Sequence, residues 1–154
     1  MHSFYLRSCY LRSCYLENQL ARGTMELARQ RLDLANIKQD LYIAAAINDH
    51  IVPWTSSYLT IGHVPAQVRF VLSSGGHIAG IVNPPGPKAW YMAAETNPPT
   101  AQEWHQAATR HAGSWWEDWI SWAAARAGPM IDPPPVGIKK YPALGDGPGE
   151  YVRS

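Results

Sequence analysis

The sequence has little net charge, few cysteines and no long apolar run. Its 13 Lys and Arg residues are nearly balanced by 12 Asp and Glu residues, which leaves a formal net charge of +1. This balance provides neither a basic field for nucleic acid nor an acidic tail for a basic partner. The apolar runs are far shorter than the ~18 residues that span a bilayer. The composition therefore favours a globular protein of 154 residues that neither binds nucleic acid nor crosses a membrane.

The two cysteines, Cys9 and Cys14, are poor candidates for a disulfide or for catalysis. They lie close together in a helical pattern, which is unfavourable geometry for a bridge. Neither lies in a G-x-C-x-G setting, and the sequence contains no G-x-S-x-G either, so the usual nucleophile elbow of an α/β enzyme is missing. The N-terminal stretch lacks the features of a signal peptide. We expect free thiols in the cytoplasm.

The histidines do not predict a metal site. Their spacing matches no zinc-ligand pattern, and no cysteine lies among them. The histidines in question are His50, His63, His77, His105 and His111.

Two short apolar stretches dominate the central part of the chain, and both are predicted to be buried strands. They run from Leu41 to Ala46 and from Val68 to Leu72. The segment 54–64 between them has the pattern of a helix with one apolar side, formed by Trp54, Tyr58 and Ile61. A helix between two strands predicts a right-handed βαβ crossover, and hence an α/β fold.

A titratable side chain follows each predicted strand: Asp49 the first and His77 the second. Because ligands of α/β sheets bind beyond the carboxyl ends of the strands, we expect these two side chains to meet there. A carboxylate that accepts from Nδ1 of an imidazole leaves Nε2 free to take a proton. Glycines at 75, 76 and 80 are expected to let the backbone turn sharply around the histidine. On spacing alone, an ordinary polar role for both residues stays open.

Outside this centre the predicted elements are mostly helical. Residues 3–22 are predicted to form a helix that ends at Gly23, although a duplicated YLRSC at 5–14 is out of phase with a helical turn. Residues 24–40 fit either a helix or a short two-stranded excursion. Residues 83–100 are predicted to be loop because of their prolines, and helices are predicted for 100–111 and 114–127. The Pro- and Gly-rich tail, 128–154, is predicted to be extended.

The last predicted helix is rich in tryptophan. Ser114 is expected to be its N-cap, with Glu117 completing a capping box. Trp115, Trp119 and Trp122 recur at helical spacing and form a stripe on one face. Such a stripe either faces the core or provides a docking surface, and the sequence leaves both interpretations open.

Several long strings, in order along the chain, closely resemble the C-terminal part of class I polyhydroxyalkanoate synthases. They are DHIVPW at 49–54, GHIAGIVNPP at 76–85, GSWWEDW at 113–119 and PGEYV at 148–152, with HSFYLR at 2–7 and YLENQL at 15–20 resembling the preceding helix. The resemblance covers nearly the whole chain.

The resemblance implies the C-terminal portion of an α/β-hydrolase fold: a few parallel strands with crossover helices, then a Trp-rich helix and a Pro/Gly-rich tail. Residues 1–127 would form a partial catalytic domain and residues 128–154 the tail. It also implies an acyltransferase that polymerises (R)-3-hydroxyacyl-CoA, needs no cofactor because the CoA thioester is its substrate, and works as a homodimer at the surface of cytoplasmic polyester granules. By matching motif, His77 is the general base, Asp49 its orienting acid, and Asn18 and His50 lie near the CoA channel.

The sequence departs from that family in lacking the cysteine nucleophile, whose box belongs upstream of the acid. Gln39 and Asp40 also replace a hydrophobic residue and a proline before the first strand. We therefore expect a synthase fragment that is inactive alone, with an unpaired edge at the strand that begins at Leu41. The alternative is a non-catalytic module that docks on a full-length synthase or on the granule through its tryptophan stripe.

Overall fold

The computed structural model describes residues 9–153, which form two compact units. Within these residues the first unit ends at Trp122 and the second begins at Ala123. The first unit contains the six strands found among residues 9–153, together with Asp49 and His77. Its strands and helices confirm the prediction of an α/β chain.

The first unit is built on a four-stranded mixed sheet. A small hairpin of β1 (Glu26–Leu27) and β2 (Gln30–Arg31) precedes it. The sheet itself has the order β3 (Leu41–Ala46), β4 (Val68–Ser73), β5 (Trp90–Ala93) and β6 (Thr109–Ala112). β3 and β4 are parallel, whereas β5 and β6 join antiparallel to their neighbours. The predicted parallel pair is confirmed, and two further strands, which the sequence did not predict, extend the sheet in antiparallel pairing.

Four α-helices cover the two faces of this sheet. They are α1 (Trp54–Tyr58), which continues as a 3₁₀ helix over Leu59–His63, then α2 (Ala79–Val82), α3 (Ala101–Ala107) and α4 (Trp115–Ala127). A capping box begins α3: the Thr100 hydroxyl accepts from the Glu103 N–H, and the Glu103 carboxylate accepts from the Thr100 N–H. The helix predicted between β3 and β4 is present as α1 and its 3₁₀ continuation. It lies between the two parallel strands in the chain, as a crossover requires.

The alternation of side chains along the strands gives the sheet two apolar faces. One face packs under α1 and α3; its buried members are Ala45, Tyr58, Phe70, Leu72, Ala101 and Trp104. The opposite face is smaller, and its buried members Val71, Tyr91 and Ala93 pack with Tyr42 and Trp115. Both faces are covered because successive residues of a strand point to opposite sides.

Two strands lie where loop or helix was predicted. β5 falls inside 83–100, which the prolines had suggested was loop, and β6 replaces the end of the helix predicted for 100–111. The helix stops because Ala108 is extended, at φ −73° and ψ 135°. β5 and β6 then stabilise each other by antiparallel pairing, which local periodicity does not reveal.

The N-terminal prediction was wrong within the described residues. A π-helix over Leu11–Leu16 is followed by turns up to Gly23, so the helix predicted for 3–22 ends early. Asn18 stops it with a left-handed backbone, φ 46°. Residues 3–8 of that prediction lie outside the described residues. For 24–40 the two-stranded alternative is correct, with a 3₁₀ turn at Leu34–Asn36 afterwards.

The tryptophan stripe on α4 splits between the core and the solvent. Trp115 and Trp122 approach the ring of Tyr42, with ring centroids 6.1 Å and 5.5 Å away. Trp119 keeps 45% of its surface exposed. Trp115 and Trp122 therefore face the sheet together with Asp118, which bonds to Tyr42, whereas Trp119 does not.

The second unit is mainly irregular. Its local structure consists of the end of α4, a bridge between Ile138 and Tyr141, and a 3₁₀ turn at Tyr151–Arg153. No helix among residues 9–153 is long and apolar enough to cross a membrane.

Candidate active site

The loops after β3 and β4 lie side by side at one edge of the sheet. Their parallel pairing continues past the strands, because the Ile47 N–H donates to the Ser73 carbonyl at 3.0 Å and the Asn48 N–H to the Gly75 carbonyl at 2.9 Å. This continuation holds the two loops in register, so the residues that follow, Asp49 and His77, are brought together.

The Asp49 carboxylate is held by the backbone of its own loop. Its Oδ1 accepts from the N–H groups of Ile51 and Val52, both at 2.9 Å. The Val52 N–H is the main cause that lowers the pKa of Asp49 to about 2, with further lowering from His77 and Ile51 against the opposing effect of burial. The side chain is only 8% exposed. Asp49 is thus a fixed, ionised acceptor.

His77 presents one ring nitrogen to this acceptor. Its Nδ1 lies 2.9 Å from Oδ2 and 3.1 Å from Oδ1 of Asp49. An ionised carboxylate only accepts, so Nδ1 carries the proton. The side chain is 41% exposed, and no hydrogen bond from residues 9–153 reaches Nε2. The arrangement can take up a proton at Nε2 while the carboxylate stabilises the imidazolium that forms.

Two glycines allow the loop after β4 to close against β3. Gly75 has φ +107°, and a Cβ there would lie 3.0 Å from the Gly80 nitrogen. A Cβ on Gly80 would lie 2.3 Å from the Cβ of Ala46, so α2 packs directly on β3 only because residue 80 has no side chain. Gly76 has ordinary space for a Cβ, so the expectation that it too is needed was wrong.

A buried polar network that the sequence did not reveal supports the histidine loop. The Asn83 amide donates to the hydroxyl of Ser73 at 2.8 Å and, at 3.4 Å, to that of Ser74. The Asn83 carbonyl accepts from the Ser114 hydroxyl at 2.5 Å. Ser73 and Ser114 are fully buried. Asn83 therefore joins the end of β4 to the start of α4.

Ser114 also caps α4, as predicted, but with a different partner. Its hydroxyl accepts from the Trp116 N–H at 3.1 Å instead of forming the expected box with Glu117. A cap of this kind fixes where the helix begins.

A second network, also unforeseen, attaches α4 to the sheet. Asp118 accepts from Arg69 at 2.5 Å and 3.1 Å and from the Tyr42 hydroxyl at 2.9 Å. Although burial raises it, the pKa of Asp118 is lowered by the bonds from Arg69 and Tyr42. Burial, followed by the charge of Asp118, raises the pKa of Tyr42 well above its usual range. The network is a structural brace on the face opposite α1 and α3.

The other two predicted site residues are not part of this pair. Asn18 lies in the turn that follows the π-helix, and His50 is exposed in the loop directly after Asp49. Neither side chain hydrogen-bonds to Asp49 or His77 within residues 9–153. Their role in binding substrate stays a prediction.

Exposed apolar residues follow both members of the pair along the chain. Ile51 and Val52 follow Asp49 and are 61% and 46% exposed, and Ile78 follows His77 and is 73% exposed. Apolar residues gathered around a titratable pair are typical of a surface that contacts a ligand or another protein segment.

The fold and this pair define a class: a mixed α/β chain with an acid–histidine pair at the carboxyl ends of adjacent parallel strands. No protein-family model matches the chain. Curated proteins, by contrast, are similar to it over most of its length. The chain is 41% identical over 154 residues to a poly(3-hydroxyalkanoate) polymerase of Methylorubrum extorquens, covering 99% of this chain and 25% of that protein.

Two further relatives agree. Polymerase 2 of Ectopseudomonas oleovorans is 40% identical over 130 residues, covering 83% of this chain and 23% of the relative. The polymerase subunit PhaC of Cupriavidus necator is 39% identical over 134 residues, with coverage of 86% and 23%. The chain is thus related to the C-terminal portion of the poly(3-hydroxyalkanoate) polymerases and spans about a quarter of their length. The resemblance seen in the sequence is confirmed.

Proposed function

We propose that this chain supplies the general base and its orienting acid to an acyltransferase of α/β-hydrolase fold that polymerises (R)-3-hydroxyacyl-CoA and releases CoA. The observation that carries the proposal is the contact between His77 Nδ1 and Asp49 Oδ2, at 2.9 Å, beyond the ends of two parallel strands. The relatives are named as polymerases of 3-hydroxyalkanoates, which supports that choice of reaction.

His77 acts twice in the proposed cycle. Its Nε2 first takes the proton of a cysteine thiol, because the thiolate is the better nucleophile. The thiolate forms a bond to the thioester carbonyl carbon, and the bond from that carbon to the sulfur of CoA breaks as CoA leaves. Nε2 gives that proton to the departing CoA sulfur and is free again. It then takes the proton of the 3-hydroxyl of the next acyl group, whose oxygen bonds to the acyl carbon held by the cysteine as the bond from that carbon to the cysteine sulfur breaks. Asp49 stabilises the imidazolium at both points.

The cysteine comes from outside this sequence in our proposal. The two cysteines present, Cys9 and Cys14, are free thiols without the strand-to-helix elbow that exposes a nucleophile. We place the elbow in the three quarters of the synthase length that this chain does not match. The expected acyl-CoA and polyester partners, the homodimer, the granule surface and the substrate-binding roles of Asn18 and His50 all belong to that whole enzyme.

CoA release from 3-hydroxybutyryl-CoA tests this function. The chain alone is expected to release none. A single polypeptide in which this chain replaces the matched C-terminal portion of the M. extorquens polymerase is expected to release CoA. His77→Ala should abolish release, and Asp49→Asn should lower it by several orders of magnitude. His63→Ala, on an exposed histidine at the end of the 3₁₀ helix, is the matched control. Activity that survives His77→Ala contradicts the proposal.

One observation favours a second function, docking on the polyester granule. An apolar groove on α4 is lined by Trp115, Trp116, Trp119 and Ile120. Co-sedimentation with poly(3-hydroxybutyrate) particles tests it. Trp119→Ser is expected to reduce binding, whereas Leu144→Ser, at a fully exposed apolar residue of the tail, is the control. Equal losses from both variants would mean that the groove is not the binding surface.

A further inference from the structure

The loop that carries His77 is closed by a hydrogen bond between its two ends. It leaves β4 at Ser73 and ends at Asn83, directly after α2. The Asn83 amide donates to the Ser73 hydroxyl at 2.8 Å, across ten positions of the chain. Ser73 is fully buried and pairs with Ala46 of β3 and Tyr91 of β5. Asn83 therefore ties the end of the loop to the middle of the sheet.

A run of backbone hydrogen bonds connects Asn83 to His77. The Gly80 N–H donates to the Gly76 carbonyl at 2.8 Å, a bond that spans His77, and the Asn83 N–H donates to the Ala79 carbonyl at 2.9 Å. Overlapping helical bonds of this kind leave the backbone between them little freedom. A displacement of Asn83 is therefore transmitted to the backbone of His77.

The start of α4 fastens the same end of the loop from another side. The Ser114 hydroxyl donates to the Asn83 carbonyl at 2.5 Å, and Nε1 of Trp115 donates to the Ile81 carbonyl at 3.1 Å. Ser114 is fully buried, so losing this partner would leave a polar group without water or a bond, which costs free energy. Asn83 is thus held by β4 through its amide and by α4 through its carbonyl.

We infer that Asn83 is a positioning residue for the general base, a role that rests on the proposed function of His77. Asp49 fixes the tautomer of the ring through Nδ1, whereas the place of Nε2 also depends on where the loop lies. Asn83 supplies this second constraint through the backbone and the Ser73 hydroxyl. Because a misplacement of about 1 Å can cost roughly a hundredfold in rate, the constraint acts on the chemical step.

Nitrogen-15 NMR of the His77 ring, at a pH where it is neutral, tests the inference without any reaction. In Asn83→Ala the loop is expected to relax away from Asp49. The ratio of the Nδ1-protonated to the Nε2-protonated tautomer should then fall by roughly fivefold or more, as expected when one hydrogen bond weakens. The folded chain gives its own signals, so a loss of stability alone does not change this ratio. An unchanged ratio overturns the inference.

Asn97→Ala is the matched control. The Asn97 amide donates to the Val68 carbonyl at 2.7 Å, so it forms the same kind of bond at the other end of β4. Its loss removes one side-chain hydrogen bond and should leave the tautomer ratio of His77 unchanged. Equal falls in the two variants would mean that any weakening around β4 moves the ring, which overturns a specific role for Asn83.

CoA release by the single polypeptide that joins this chain to the M. extorquens polymerase tests the effect on the chemical step. Asn83→Ala is expected to lower kcat by roughly ten- to a hundredfold with KM nearly unchanged, and Asn97→Ala should change neither. Adding Ser73→Ala to Asn83→Ala should cost little more, because residues that act as a unit are not additive. A raised KM at unchanged kcat, or fully additive losses, overturns the inference.

The two measurements separate this inference from the proposed function. If the joined polypeptide without these substitutions releases no CoA, the proposed function fails. The tautomer ratio still decides whether Asn83 positions the His77 ring, because it is measured on the chain alone. A changed ratio in Asn83→Ala with an unchanged kcat would leave the proposed function intact and overturn the positioning role.

Discussion

The close approach of α2 to β3 leads to a quantitative prediction for Gly80→Ala. The added Cβ would lie 2.3 Å from the Cβ of Ala46. Ordinary carbon contacts begin near 3.5 Å, so α2 must retreat by roughly 1.2 Å. Overpacking of this kind costs about 1–3 kcal/mol, offset by the better helix propensity of alanine, which contributes up to about 1 kcal/mol. We expect a net loss of about 1–2 kcal/mol in the free energy of unfolding.

Urea unfolding followed by tryptophan fluorescence measures this loss. At a typical slope of about 1–3 kcal/mol per molar urea, the midpoint should fall by roughly 0.3–2 M. Gly62→Ala is the control, because its Cβ would meet nothing within 4 Å and its φ is not positive. It should be neutral or stabilise by up to about 1 kcal/mol. A Gly80 variant as stable as the Gly62 variant would refute the packing argument.

Three further predictions concern charge, pH and the core. Asp118→Ala leaves the Arg69 guanidinium partly buried without its carboxylate and should lower the unfolding free energy by about 2 kcal/mol in the same urea assay. The pKa of Asp49 falls from 3.8 in the unfolded chain to about 2, so the unfolded state binds more protons between these values. Stability is therefore expected to decline as the pH falls through that window, and Asp49→Asn should flatten the decline in acid titrations. Trp104→Ala, at a fully buried residue, should cost about 3–5 kcal/mol, against under about 1 kcal/mol for Trp119→Ala; equal thermal shifts would contradict the two burial values.

The sequence was informative where local pattern and structure agree. The stretches predicted as strands, 41–46 and 68–72, are too short for helices, and the structure has strands at 41–46 and 68–73. Asp49 and His77 follow these strands within a few residues, and the parallel pairing, continued into the loops, brings them together. For 24–40 the pattern fits a helix and a hairpin equally well, and the structure has the hairpin.

The sequence was uninformative where structure depends on distant partners. β6 looks like the end of a helix until β5 is placed beside it. Asp118 looks like a surface residue of a helix, yet it accepts from Arg69, which is 49 positions away in the chain. Asn83 precedes two prolines and gave no sign that its amide and carbonyl join β4 to α4. Burial and pairing decide these cases, and neither has a local period.

The central claim is that Asp49 fixes His77 as a base with Nε2 free, and the protonation of the ring tests it most directly. Nitrogen-15 NMR of the histidine side chains, recorded at a pH where the His77 ring is neutral, distinguishes the two tautomers. The expected result is a proton on Nδ1 of His77. Asp49→Ala should remove the preference for this tautomer, and His63→Ala should leave it unchanged. A proton on Nε2 in the unaltered chain would contradict the account, because the nitrogen proposed to accept a proton would already carry one.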